Sequence, residues 1–215
     1  CHGCGGCVGE CPHNAITQMH YTDAQVLSQI RALLADKPEE KIFAFRCHWC
    51  SYGGADLAGT SHFEYSANER GIRVMCSARM DADFIYEAFR LGAGAVLYSG
   101  CHPQDCHYIT GQRVGAVRAE RLLKTFEKMG MSPGRFRVEW ISAAEGDKYA
   151  RVINEMQNVI DVLGKDKLAE EIGVLKPEME KRARRMYEAP GVNEASEYAD
   201  AMTVAMTVTE VSGGK

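Results

Sequence analysis

Four thiols crowd the first eleven residues, CHGCGGCVGEC, and five more lie between positions 47 and 106. This distribution constrains the chain more than any other feature. Nine is an odd number, and no charged-then-apolar leader opens the chain, so a disulfide framework explains the cysteines poorly and metal or redox chemistry explains them well. Cys1-x2-Cys4-x2-Cys7-x3-Cys11-Pro12 has the spacing of a ferredoxin-type [4Fe–4S] site. Four thiolates must converge on one cube. The glycines at 3, 5, 6 and 9 allow the backbone to wrap it and to aim N–H groups at sulfur. A zinc knuckle uses two separated pairs, or cysteine pairs with histidine, and fits this run less well.

The fourth cysteine of such a run ligates the other cube in two-cluster ferredoxins. Cys1, Cys4 and Cys7 then serve one cluster and Cys11 a second, whose remaining ligands belong to an upstream segment or another chain. The alternative is one cube held by all four. Residue 1 is Cys rather than Met, which suggests processing or the C-terminal part of a longer protein.

The 215 residues are 46% apolar and 25% charged, enough for a folded core. Net charge is −4 with no basic block, which argues against nucleic acid as the main partner. No apolar run reaches the roughly 18–20 residues of a membrane span. These features predict a soluble, cytoplasmic protein.

Periodicity divides the chain. Residues 1–20 form the cysteine motif, and 21–40 a helix and linker. That helix opens on the capping box Thr22–Gln25, carries Val26, Leu27, Ile30, Leu33 and Leu34, and stops at Pro38. From 41 to 164 short strands (42–45, 71–75, 95–98, 136–141) alternate with helices. One helix is capped by Asp81, and one over 113–129 buries Val114, Val117, Leu122, Phe126 and Met129. A last one opens on a capping box at Ser142–Glu145 and stops at Gly164. The alternation predicts an α/β domain, a small doubly wound parallel sheet, preceded by the partial ferredoxin-like module. Residues 165–215 form a helical C-terminal extension, with charged surface helices over 165–172 and 177–187. Residues 201–211 alternate Met, Thr and Val, as an edge strand or a flexible tail would.

Cys47 and Cys50, Cys76, and Cys101 and Cys106 stand at or just after three of the predicted strands. Doubly wound folds place ligand sites at those carboxyl ends, so the five should share one crevice. Five thiols exceed the four of a [2Fe–2S] cluster. The other readings are a thioredoxin-like pair at Cys47/Cys50, a zinc site of Cys with neighbouring His, and, for Cys76 alone, an inert buried thiol. His48, His102 and His107 each adjoin a better thiolate donor and read as hydrogen-bonding neighbours rather than ligands. Arg46, Arg73 and Arg79 flank the strand ends, either stabilising a reduced cluster or simply solvated. No GxGxxG fingerprint follows a strand, and no acid–base pair suits a substrate.

The stretches FRCHWCSYGGADLAGT (45–60), RVMCS (73–77), GCHPQDCHY (100–108) and EWISA (139–143) resemble the delta (iron–sulfur) subunit of methyl-viologen-reducing hydrogenase. The preceding motif is similar to the C-terminal end of the heterodisulfide reductase A subunit, to which such a domain is sometimes fused. The resemblance covers residues 1–160 and leaves the last fifty or so unmatched. It implies a [2Fe–2S] cluster in the α/β domain and an electron relay from a hydrogenase, or a formate dehydrogenase, to the A, B and C subunits of heterodisulfide reductase. It further implies an FAD carried by that partner, where electrons bifurcate to ferredoxin and the heterodisulfide of methanogenesis.

Overall fold

Successive side chains of Ile42-Phe-Ala-Phe45 point to opposite sides of a strand, and all four are fully buried, so this strand has to be covered on both faces. The computed structural model, which describes residues 1–187, shows how. β1 (Ile42–Cys47), β2 (Glu69–Val74), β3 (Ala95–Gly100) and β4 (Phe136–Trp140) form one parallel sheet in the order β2-β1-β3-β4. The helices are α1 (Gly6–Glu10), α2 (Asp23–Leu33), α3 (Ser51–Thr60), α4 (Ala82–Arg90), α5 (Gly111–Lys128) and α6 (Gly146–Tyr187). Phe43 and Phe45 face one apolar cluster with residues of α2, α4 and α5. Ile42 and Ala44 face the other, with α3 and the first half of α6. The expected doubly wound α/β domain is present.

The topology sets the site. After β1 the chain crosses by α3 to β2 at the sheet edge. It returns by α4, on the opposite face, to β3 on the other side of β1. Neighbouring strands β1 and β3 thus send their chains to opposite faces, which opens a crevice at their carboxyl ends.

Thr22 forms the complete capping box, and the Asp81 carboxylate accepts from the Asp83 N–H at 3.0 Å. The second box is different. Ser142 Oγ accepts from Ala144, the Glu145 carboxylate accepts from the Ser142 N–H at 2.7 Å, and α6 starts only at Gly146. Sequence periodicity also missed α3, a helix with three glycines and little amphipathic pattern.

Val114 and Val117, expected inside, are 36% and 50% exposed. The buried side of α5 runs instead through Gly115, Ala119, Leu122 and Phe126. The predicted surface helices after Gly164 are corrected too. Gly164 (φ 71°) breaks α6, and the continuation passes beneath the amino ends of the strands, where Lys165 pairs with Glu39 and Glu40. It then buries Leu175, Met179 and Met186 against the α2/α4/α5 core. Its charged residues mask an apolar stripe. Fully buried Arg135 is matched to Glu171 at 2.9 Å and to the carbonyls of Ala93, Gly94 and Leu168. Residues 201–211 lie outside the described residues. No described helix is long and apolar enough to cross a membrane.

Candidate metal centre

Cys47 ends β1 and Cys101 follows β3, and their sulfurs lie 3.6 Å apart across the crevice. Cys50, at the start of α3, hydrogen-bonds with both. Serines fix this spacing. Ser51 Oγ accepts from the Cys47 N–H at 2.8 Å and donates to the Ser99 carbonyl at 3.2 Å, while Ser99 Oγ donates to the Phe45 carbonyl at 2.9 Å. Both serines are buried, and together they lace β1 to β3 directly under the thiols.

Cys106, in the loop before α5, takes the Gln112 N–H on its sulfur at 3.3 Å and makes a thiol contact with Cys76, which follows β2. All five thiols therefore occupy the crevice, as their places after strands foretold. Cys47, Cys76, Cys101 and Cys106 are buried and Cys50 is half-buried. Gly111 is required where α5 begins, because a Cβ there would collide with Cys76 Sγ and stand 3.5 Å from Cys106 Sγ.

Crowding sets the electrostatics. Hydrogen bonds from Cys101 and Cys50 draw the Cys47 thiol far below its ordinary value, and Cys101, which keeps its proton by donating to Cys47 and Cys50, is driven well above it. Cys50 ends high as well. Its bond with Cys101 lowers it, but the bond to Cys47, burial and neighbouring thiolates outweigh that. Burial pushes Cys76 up to about 12. So many thiols in one dry space cannot all ionise unaided, but a cation bound among them would stabilise the thiolate forms.

The histidines are neighbours with distinct partners. His102 Nε2 meets Glu145 Oε2 at 2.5 Å, and His107 stacks on Trp49 with ring centroids 3.7 Å apart. His48 Nδ1 is buried without a partner. Arg46 is tied to Glu69 and Tyr149, and Arg79 is buried outright, so of the three flanking arginines only Arg73 is exposed.

The N-terminal motif sits on the domain at the turn after Cys76. Cys4 packs against the core that holds Cys76, and their charges interact. Arg118 of α5 clasps the motif. Its Nη1 donates to the Ala78 and Met80 carbonyls at 2.9 and 2.8 Å, and its Nη2 to the Gly9 carbonyl at 3.0 Å and to Glu10. Cys1 and Cys7 are exposed, Cys4 and Cys11 half-buried. Cys11 Sγ accepts from the Ala15 N–H at 3.3 Å, and that bond, with a second from His13, holds its thiol below the ordinary value. Cys11 borders an open groove of about 650 Å³ whose other walls include Asp81, Arg113, Val117 and Arg182. Among the described residues, no three Cys, His, Asp or Glu side chains close on one point as a bare metal ion requires. Sequence reasoning had no access to Arg118, 109 residues from its partner Gly9. Ser51 and Ser99 carried no signal beyond their nearness to cysteines.

A parallel α/β domain with a cysteine-lined crevice at its switch point defines a small class of proteins. Residues 42–164 match the family model of the methyl-viologen-reducing hydrogenase delta subunit, and the chain belongs to that family. It is 39% identical over 183 residues to the A subunit of ferredoxin:CoB-CoM heterodisulfide reductase from Methanosarcina mazei, covering 85% of this chain and 21% of that protein. It is 41% identical over 146 residues to the A subunit of ferredoxin/F420H2-dependent CoB-CoM heterodisulfide reductase from Methanosarcina acetivorans, covering 67% of this chain and 18% of that protein. With the iron-sulfur D subunit of the vhc F420-non-reducing hydrogenase from Methanococcus voltae it shares 41% identity over 140 residues, 65% of this chain and 97% of the relative. The chain thus spans about a fifth of the reductase subunits it matches.

Proposed function

We propose that this chain is an electron-transfer iron–sulfur unit with two adjoining sites. Cys47, Cys50, Cys101 and Cys106 would hold a [2Fe–2S] cluster, with Cys76 as the spare thiol between Cys106 and Cys4. Cys1, Cys4 and Cys7 would hold a [4Fe–4S] cluster, and Cys11 would serve a second one. The Cys47–Cys101 approach carries this reading. Thiolates about 2.3 Å from a tetrahedral metal lie about 3.7 Å apart, and these two sulfurs, from strands 54 residues apart in sequence, stand at 3.6 Å. A cluster is broader than an ion, which suits thiols that line a crevice without meeting at one point.

When bound, such groups supply one-electron exchange without making bonds. The chain's residues do the rest. Ser51 and Ser99 hold the β1 and β3 ligands in place, and Arg118 fixes the N-terminal motif beside the crevice. The names of the relatives favour a place between a hydrogenase and a heterodisulfide reductase. We extend that place to a cytoplasmic complex that accepts hydrogenase or formate dehydrogenase electrons and passes them to a flavin of the reductase for bifurcation.

A dithiol exchange role for Cys47 and Cys50 draws support from the lowered Cys47 thiol, but Cys47 is 1% exposed and no substrate disulfide reaches it. Anaerobic purification with iron and sulfide analysis and EPR of the reduced protein tests the proposal. Both cluster types are expected. A colourless protein without sulfide, binding zinc instead, overturns it.

A further inference from the structure

Buried side-chain atoms without hydrogen-bond partners are few among the described residues, and they are not scattered. Four of the six are Gln18 Oε1, Tyr21 Oη, Arg79 Nε and Arg79 Nη1; Gln18 Oε1 and the Arg79 stem both lie against Gly5, and Arg79 also donates to the Tyr21 carbonyl. An unmet buried polar group is costly, and a charged one more so, so such a concentration calls for a ligand.

Arg79 dominates the group. It is fully buried, on the turn that follows Cys76. One end of its guanidinium is spoken for, since Nη2 pairs with Asp23 and donates to the Tyr21 carbonyl at 3.3 Å. The opposite edge, Nε–H and the Nη1 hydrogens, makes no hydrogen bond. The side chain lies directly under the Cys4-Gly-Gly-Cys7 loop. Gly5 has φ +76° and sits so close that a Cβ would stand 2.5 Å from Arg79 Cδ, and Gly6 lies against Ala78. Resting on the two-cluster reading above, we propose that Arg79 is a positioning residue for the N-terminal site. Its free Nε–H and Nη1–H groups donate to the sulfurs held by Cys1, Cys4 and Cys7 and raise the reduction potential there.

The chemistry favours this acceptor over a protein one. Sulfur in an iron–sulfur site carries negative charge that grows on reduction, and a planar cation donating two hydrogen bonds stabilises the more negative state. The donor comes from the α/β domain rather than from the motif itself. The potential of the N-terminal site therefore depends on how the two units dock. Arg118, which does the docking, spends its donors on carbonyls and Glu10.

The test uses the full-length protein, purified anaerobically. The EPR signal that Cys4→Ser removes is assigned to the N-terminal cluster. EPR-monitored redox titration then compares wild type with Arg79→Lys and Arg79→Gln. Both variants are expected to disfavour reduction of that cluster about tenfold, about 59 mV for one electron, with Lys failing to restore the wild-type value. Pulsed EPR of wild type labelled with 15N-arginine should show guanidinium nitrogen coupled to the reduced cluster. That measurement needs no variant and decides the matter if Arg79 substitutions fail to load. A loaded cluster with an unchanged potential overturns the inference, as do exchangeable protons without arginine nitrogen coupling, which would mean water fills the space. If wild type has no signal that depends on Cys4, the two-cluster reading itself fails, a separate outcome.

Discussion

Gly111, the first residue of α5, leaves Cys76 no room for even a methyl group between them. The helix start and the thiol after β2 are therefore packed as one unit. Gly111→Ala should push Cys76 off its position and, through their thiol contact, displace the proposed ligand Cys106. We expect a folded protein, by far-UV circular dichroism, whose α/β-domain iron content falls by more than half. Undiminished iron in that variant would show that the crevice yields.

Serine substitution should divide the five domain cysteines. Cys47, Cys50 and Cys101 share hydrogen bonds, whereas the Cys76 thiol meets the Ala78 N–H, Cys106 and the field of Cys4. Cys47→Ser and Cys101→Ser are expected to abolish the [2Fe–2S] absorption and EPR signals, and Cys76→Ser to retain them. Loss of the signals in Cys76→Ser with retention in Cys106→Ser would exchange the two roles.

The Arg135–Glu171 pair joins the part of α6 after Gly164 to the sheet, with both side chains buried. Glu171→Ala leaves the guanidinium charged and unpaired by any carboxylate, and should cost about 3–5 kcal/mol in chemical denaturation. Burial works to raise the Glu171 carboxyl, but bonds from Ser132 and Arg135 prevail and hold it below its ordinary value. A lowered folded-state pKa gives stability that is complete above the unfolded carboxylate value, about 4.3, and lost as pH falls through the folded one. The difference between wild type and variant should shrink below about pH 4. A constant difference down to pH 2 would count against the pair.

Ile109 is β-branched, 81% exposed, and held at φ +63° in the loop between Cys106 and α5. That conformation costs a branched residue about 1–2 kcal/mol, and little burial is lost on replacing it. Ile109→Asn should raise stability by about 1 kcal/mol, read as a higher thermal midpoint at unchanged iron content. A lower midpoint would mean that the isoleucine has a partner.

The crevice was legible because strand ends and cysteines coincide in the chain. Cys47, Cys76 and Cys101 each follow a run of β-branched and aromatic residues, and parallel topology does the rest. α3 was not legible, because its face against α6 is built of glycine and alanine, which leave no amphipathic trace. Val117 misled for a different reason. It keeps helical spacing with buried residues, but lies on the rim of the groove beside Cys11 and Pro12. The burial of Glu171 was also hidden, since a charged residue in a charged segment reads as solvated until Arg135 is placed beside it. The N-terminal spacing spoke of a motif but not of where it packs, against Arg118 and Arg79 from far along the chain.

Arg118 grips backbone on both sides of a boundary, Ala78 and Met80 on one and Gly9 on the other. Carbonyls are present whatever the side chain, so the contacts to Ala78 and Met80 tolerate sequence drift, whereas position 9 has no room for a side chain and Glu10 pairs through its carboxylate. The fastening travels inside the module. Under the electron-transfer proposal, contacts within residues 9–118 would set the gap between the two thiol groups, and with it the rate of any hop between them.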